Sequence, residues 1–363
     1  MSSSKPSYPI LGITGFLVFF GLLMIASAGA VISQERFGQS FYYVKSQLLH
    51  GLLPGIVLGL AAYIIPTSFW RKNAKFIFFI ALVLMILVFV PGVGLEFGGA
   101  KRWISVAGQT FQPSEFFKLA FLIYLAAFLE KNSGSIKKEK KGLVIFGAVM
   151  AVPILLIGLE PDLGTLSVFI GAAFLMYIVA KAPLMHLTAL AAFGTGMFLL
   201  FIKFLPHARQ RIMVFFNSDT DPGGIGYQIN QSLIALGSGG FFGQGLTQSK
   251  QKFLYLPQPA GDSIAAVLGE EFGFLGMLIL SALFAAFAFF GFKIAQKAQS
   301  EFSKLLAVGI VSFIVIQAFV NIAAIADMIP LTGITLPFIS HGGSSLVVCL
   351  TAVGMLLKIS KEK

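Results

Sequence analysis

Charge is scarce in this chain. Only 11% of its 363 residues are Asp, Glu, Lys or Arg while 57% are hydrophobic; soluble domains carry about 25% charged residues. That deficit excludes an ordinary soluble fold. Cysteine is scarcer still: Cys349 stands alone in an apolar stretch, which excludes an intrachain disulfide and a cysteine-built metal cluster. Also missing are the His-Glu-x-x-His metal site, the Gly-x-Ser-x-Gly elbow and the Gly-x-x-x-x-Gly-Lys-Ser/Thr phosphate loop. The glycines of Gly237–Gly245 follow no strand pattern, so they do not read as a dinucleotide fingerprint.

In place of these, apolar runs recur along the whole chain. A crossing takes roughly 20 apolar residues, and the spacing predicts helices over Ile10–Ile32, Gln47–Ile65, Lys75–Val90, Ser114–Leu129, Gly142–Gly158, Leu163–Ala180, Leu184–Leu205, Ser263–Phe292, Lys304–Asp327 and Gly342–Leu357. The expected fold is an all-α polytopic membrane protein of about ten transmembrane helices, a single domain over 1–363, with a long extracytoplasmic loop, 206–262, between helices seven and eight. The first run follows Lys5 and is long enough to span, and no small-residue cleavage pattern is followed by a soluble domain, so it reads as a retained helix. Gly51 and Gly55 have the G-x-x-x-G spacing of close helix packing.

The net charge of +11 then becomes a statement about topology. Sixteen Lys and Arg fall in the loops on the side of the termini, among them Lys5, Arg71, Lys137, Lys138, Lys293 and Lys363, against nine on the opposite side. Basic loops stay in the cytoplasm, so both termini are expected there. With its acidic residues counted, that side nets +12 and the remainder −1. Nothing is left over to argue for nucleic acid.

The opposite side holds the long loops: 91–113, 328–341 and, longest, 206–262, in which Tyr227–Leu236 is amphipathic and could lie along the membrane interface. Ionisable residues collect there as well, and burying one unpaired in a membrane is expensive. Asp162 lies where one helix ends and the next begins; Asp262 starts the eighth helix, with Glu271 about two turns deeper; Glu115 and Lys118 are three apart on the fourth helix. Each has a plain structural reading. Asp262 and Asp162 could cap helices, Glu115 and Lys118 could neutralise each other, His341 could be an incidental turn residue, and Arg102 and Arg211 could touch lipid headgroups. Taken together, a carboxylate flanked by Lys101, Arg102, Arg209 and Arg211 suits an anionic lipid-linked substrate. The cations would bind its phosphates, and the carboxylate could take a proton from an attacking hydroxyl.

At these residues the sequence resembles the SEDS family of bacterial shape, elongation, division and sporulation proteins. The resemblance rests on Gly99-Ala100-Lys101-Arg102-Trp103, Gln112-Pro113-Ser114-Glu115 with Lys118, Pro161-Asp162-Leu163-Gly164-Thr165, Gly226-Tyr227-Gln228, Gly269-Glu270-Glu271 with Gly273, and Leu336-Pro337 with Gly342-Gly343-Ser344-Ser345. It implies a peptidoglycan glycosyltransferase that polymerises lipid II outside the cytoplasmic membrane, with undecaprenyl diphosphate leaving, beside a class B penicillin-binding protein and other division proteins. The family's catalytic aspartate maps to Asp262. Lys101, Arg102, Arg209, Arg211, Glu115, Lys118, Asp162 and Glu271 are the expected substrate-pocket residues. Family members usually read His-Thr-Asp-Phe around the aspartate, whereas this chain reads Ala260-Gly261-Asp262-Ser263. Pro91-Gly92-Val93-Gly94 and Gly333-Ile334-Thr335 are more similar to the division branch, FtsW, than to RodA. A divalent cation, Mg2+ or Mn2+, is suggested by the diphosphate alone, and no organic cofactor is expected. The competing readings are a transporter of the lipid-linked precursor and a noncatalytic division scaffold.

Overall fold

The computed structural model describes residues 7–97, 100–106, 109–136, 140–160 and 162–362. Lys5, Lys137, Lys138 and Lys363 from the charge count, and Gly99 and Pro161 from the family segments, lie outside the described residues.

Each of the ten predicted runs is a helix. In chain order the elements are α1 Tyr8–Phe37; α2 Tyr42–Gln47, continued by a π-helical turn Leu48–Leu52 into α3 Leu53–Ile64; α4 Thr67–Leu87; strands β1 Gly94–Phe97, β2 Ala100–Val106 and β3 Gln109–Phe111; α5 Pro113–Lys131; α6 Ser133–Ile136; α7 Lys140–Leu159; α8 Leu163–Val179; α9 Leu184–Phe204; α10 Pro206–Phe216; α11 Ile225–Gly239; α12 Ile264–Lys297; α13 Glu301–Ile325; and α14 Gly343–Lys361. Among the described residues, seven helices are long and apolar enough to cross a bilayer, counting Tyr42–Ile64 as one. The other three predicted runs are α4 and α5, which carry charges near their ends, and α8, which has 17 residues. The chain is a multi-pass membrane protein.

Helix α13 is the centre of the bundle. It is buried along most of its length and packs against α5, α8, α12 and α14. Helix α3 lies flush on α14 because glycines line the seam. A β-carbon on Gly51 would come 3.3 Å from the Cα of Gly343, and one on Gly55 would come 3.3 Å from the Cα of Val347. Gly59 and Gly354 extend the same close approach. Both chain ends meet at one end of the bundle. The Ser7 backbone N–H donates to Ser360 Oγ at 3.2 Å, Thr67 Oγ1 donates to Glu362 at 2.7 Å, and Arg71 pairs with Glu130 at 3.3 Å. Helix α4 begins at Thr67 rather than Lys75, so its basic first turns are helical and not loop.

The opposite end carries the connections expected to be irregular, and these prove to be folded. Strands Gly94–Phe97, Ala100–Val106 and Gln109–Phe111 form a three-stranded antiparallel sheet in the order β1-β2-β3, pairing Leu95 with Trp103 and Ile104 with Phe111. The 206–262 segment contains α10 and α11. The amphipathic stretch Tyr227–Leu236 lies inside α11 and packs against α12, with Gly239 on the Gly269 carbonyl. Helix α12 is broken at Gly273, where φ is 66° and ψ is −163°, a backbone region essentially confined to glycine. The break is bridged by the 240–245 loop: the Phe274 and Leu275 N–H groups donate to Gly240 and Phe241, and Gln244 and Gly245 donate to Glu270 and Glu271. Residues 264–271, before the break, are buried.

Candidate active site

A cavity of about 750 Å³ opens at the folded-loop end. It is lined from five directions: β2 (Arg102, Trp103), α5 (Glu115), α8 (Asp162, Thr165), α10 and α11 (Arg211, Gln228), and the 257–262 and 333–345 segments. A second cavity of about 570 Å³ adjoins it, sharing Trp103, Gln258, Gly261, His341, Gly342 and Ser344. The second is lined on its far side by Leu49, Pro54 and Leu58 and by Phe111 and Phe116.

Of the nine residues expected at the site, five line the first cavity: Arg102, Glu115, Asp162, Arg211 and Asp262. Four do not, each for a local reason. Lys101 is exposed although its neighbours Arg102 and Trp103 both line the cavity: Arg102 is the extra residue at a register shift between β1 and β2, where simple alternation of side chains fails. Arg209 is exposed on α10, because two residues along a helix turn about 200° and only Arg211 faces the cavity. Lys118 is one turn deeper on α5, buried, with its Nζ 2.9 Å from Glu115 Oε1 and 2.7 Å from Gln317 Oε1. Glu271 is further removed: its Oε1 accepts from Lys252 Nζ at 2.8 Å and from Ser27 Oγ at 2.6 Å, inside the protein. Its neighbour Glu270 accepts from Ser249 Oγ at 2.5 Å and the Lys250 N–H at 2.9 Å. The two glutamates fasten the 249–252 loop onto α12.

The two aspartates differ in what occupies their oxygens. Asp162 is the N-cap of α8: Oδ1 accepts from the Thr165 N–H at 3.0 Å and Oδ2 from Thr165 Oγ1 at 2.9 Å. Asp262 is not a cap, since Ser263 holds that position of α12. Its Oδ2 lies 3.4 Å from Gln228 Nε2, a nitrogen that donates at 2.9 Å to Ser263 Oγ. Asp262 Oδ1 has no hydrogen-bond partner among the described residues. Burial raises the Asp262 pKa, against the pull of Gln228, nearby backbone N–H groups and Arg211.

Positive charge faces this carboxylate. Arg211 donates to the Thr332 carbonyl at 3.0 Å, and Arg102 Nε donates to the Glu160 carbonyl at 2.9 Å. Burial depresses the Arg211 pKa and the charge on Arg102 adds to this, while Asp162 and Asp262 oppose it; a guanidinium so placed stays charged. Gly333, with φ of +71°, lies between carboxylate and guanidinium: a β-carbon there would stand 3.6 Å from Asp262 Oδ2 and 3.8 Å from an Arg211 terminal nitrogen.

Several polar residues of the site were not singled out from sequence. Gln228, Gln317 and Asn321 are amides in helices, and the signal that could have found the last two is their position inside an apolar membrane run. Glu160 is buried, with neither carboxylate oxygen hydrogen-bonded among the described residues. Burial first, then Asp162, push its pKa up to about 8, with Arg102 opposing. His341, which read as incidental, lines both cavities. Its ring lies 4.8 Å from that of Tyr43, and burial pulls its pKa down to about 4, which keeps it neutral at physiological pH.

Comparison with known proteins gives this geometry a family. The chain is 40% identical over 360 residues to stage V sporulation protein E of Bacillus subtilis, covering 99% of this chain and 98% of that one. It is 38% identical over 349 residues to a probable peptidoglycan glycosyltransferase FtsW of Trichlorobacter lovleyi, covering 95% and 90%. Its fold matches a chain of a peptidoglycan synthase complex that couples polymerization and crosslinking, with a TM-score of 0.81 at 23% identity over 98% and 97% of the two chains. The Thermus thermophilus rod shape determining protein RodA matches with a TM-score of 0.71 at 23% identity over 99% and 98%. The model of the cell cycle proteins FtsW, RodA and SpoVE matches residues 9–363, and the chain, with its apolar helices and its cavity at the folded-loop end, belongs to that family.

Proposed function

We propose that this chain is a peptidoglycan glycosyltransferase that polymerises lipid II, with Asp262 as general base. The observation that carries the reading is the state of that carboxylate: among the described residues Oδ1 is unpartnered, at a cavity that Arg102 and Arg211 also line. The basic end of the bundle, where the chain termini meet, is cytoplasmic by the positive-inside rule, so the cavity opens outside. Asp262 takes the proton of the acceptor sugar's 4-hydroxyl as that oxygen attacks the donor's anomeric carbon. The anomeric carbon–oxygen bond to undecaprenyl diphosphate breaks, and the leaving charge is offset by Arg211 and Arg102. The raised pKa brings Asp262 nearer the working pH, which suits a base. The adjoining cavity, apolar on its far side, fits a lipid chain beside the polar site.

No three His, Cys, Asp or Glu side chains gather as a metal site among the described residues. Among the described residues there is therefore no three-residue cage for Mg2+ or Mn2+, and the substrate's diphosphate alone suggests such an ion. We assign the chain to septal synthesis beside a class B penicillin-binding protein. Support comes from relatives named FtsW and from the similar fold in a complex described as joining polymerization to crosslinking.

The test is gel analysis of polymer made from lipid II in proteoliposomes by wild-type and Asp262→Asn protein, with transbilayer movement of lipid II read in parallel. Loss of a general base lowers the rate by about 10²–10⁴-fold. An Asp262→Asn protein that polymerises at the wild-type rate sinks the assignment, and transbilayer movement without polymer replaces it with transport.

A further inference from the structure

Residues 330–335, which bring Gly333 between Asp262 and Arg211, belong to no helix or strand. Side chains hold this strap. Arg211 donates to the Thr332 carbonyl at 3.0 Å. Gln317 Nε2 donates to the Thr335 carbonyl at 3.0 Å and to its Oγ1 at 3.2 Å. Asn321 Nδ2 donates to the Ile334 carbonyl at 2.8 Å and, with its other hydrogen, to the Asp262 carbonyl at 2.9 Å. Gln317 and Asn321 are four residues apart, on one face of α13, and both are buried. Helix α8 presses on the strap from another side: a β-carbon on Gly164 would stand 2.9 Å from Thr332 Cβ.

Asn321 differs from the other anchors in what it joins. One amide group binds the backbone of Asp262 and the strap to which Arg211 is tied. Through it the distance from the Asp262 carboxylate to the guanidinium is fixed by α13, at the centre of the bundle, rather than by the loops that carry the two groups. Its Oδ1 has no hydrogen-bond partner among the described residues, so the side chain's hydrogen bonding there is directed at these two carbonyls. We propose that Asn321 is a positioning residue that sets Asp262 against Arg211 through the 332–335 strap. The proposal rests on Asp262 being the base.

Lipid II polymerisation by wild type, Asn321→Leu, Asp262→Asn and the double variant, each reconstituted in liposomes, tests it. Leucine keeps the branched shape of asparagine and donates nothing. A misplacement of about 1 Å in a catalytic group costs on the order of 10²-fold. Asn321→Leu should therefore lose up to about 10²-fold in kcat, with KM for lipid II changed by less than about twofold. In the Asp262→Asn background the same change should have no further effect, because a misplaced group that no longer acts cannot be misplaced again. Asn321→Leu slowing both backgrounds by the same factor means a purely structural role and overturns the proposal. Asp262→Asn inactive with Asn321→Leu at the wild-type rate overturns it too, while leaving the base assignment standing. Asp262→Asn at the wild-type rate removes the base assignment and this proposal with it. If Asn321→Leu does not accumulate as folded protein, the isosteric Asn321→Asp takes its place under the same criteria.

Discussion

Lys252 and Glu271 allow a sharp test of whether a buried charge serves chemistry or architecture. Their side chains are 4% and 0% exposed, their charged atoms are 2.8 Å apart, and Ser27 on α1 bridges them at 2.9 Å and 2.6 Å. Removing the ammonium alone, as in Lys252→Met, leaves Glu271 buried without its counter-charge, and such losses cost about 3–5 kcal/mol. Removing both charges, as in Lys252→Met with Glu271→Leu, takes away the desolvation penalty together with the attraction, and such exchanges come out about neutral or better. Ser27→Ala deletes two hydrogen bonds to charged groups, each worth about 1.5–3 kcal/mol. The melting temperatures of the purified protein in detergent should therefore put Lys252→Met and Ser27→Ala both well below wild type, and the double variant close to it. Lys252→Met melting with wild type, or the double variant melting as low as the single, refutes the reasoning. Polymerisation per folded molecule then decides the role of Glu271. If it only fastens the 249–252 loop to α12, the double variant keeps the wild-type rate. A well-folded double variant without activity would return Glu271 to the site.

The cavity gives two further expected outcomes. Glu160 has a folded-state pKa of about 8 against an ordinary 4.5, so between those values the folded state holds a proton that the unfolded state has released. Its contribution to stability falls as pH rises from about 4.5 to 8 and is level above that, with an upper bound of about 5 kcal/mol. The melting advantage of Glu160→Gln over wild type should widen across that window, and parallel melting curves would contradict it. Among the arginines, Arg211→Met should lower the polymerisation rate by about 10²–10³-fold, as loss of a preorganised charge-stabilising donor does. Arg209→Met and Lys101→Met, both at exposed positions, should stay within about twofold of wild type on the same gel assay.

The helices were legible because an apolar run of membrane length leaves the backbone one inexpensive option, the internally bonded helix. The same rule hid the folded-loop end. Outside the apolar region water can satisfy an open backbone, so 94–111 and 206–226 carry no compositional mark separating loop from sheet or surface helix and read as loop; only the amphipathic Tyr227–Leu236 stood out. The break in α12 was hidden for another reason. Gly273 lies inside a continuous apolar stretch, and what permits its left-handed backbone is the 240–245 loop, which bridges the break from a position about thirty residues earlier in the chain.

The site was legible as a population of charges but not as an arrangement. Lys101 and Arg102 are adjacent, and Arg209 and Arg211 nearly so, yet within each pair one residue faces the cavity and the other does not. The discriminating facts are the register shift that singles out Arg102 in β2 and the helix phase of α10, and neither element carried an apolar period that announced it. Asp162 and Asp262 present the same ambiguity. Both precede an apolar helix, so both read as caps or as site residues. The tie is broken by the residues just C-terminal to each. Thr165 stands where its N–H and hydroxyl satisfy both oxygens of Asp162, whereas Ser263 takes the cap position of α12 and leaves Asp262 Oδ1 unpartnered among the described residues. A carboxylate consumed by its own helix has little left for a substrate. One displaced from the cap by its neighbour, and held in place by Asn321 through its backbone, keeps an oxygen for a proton.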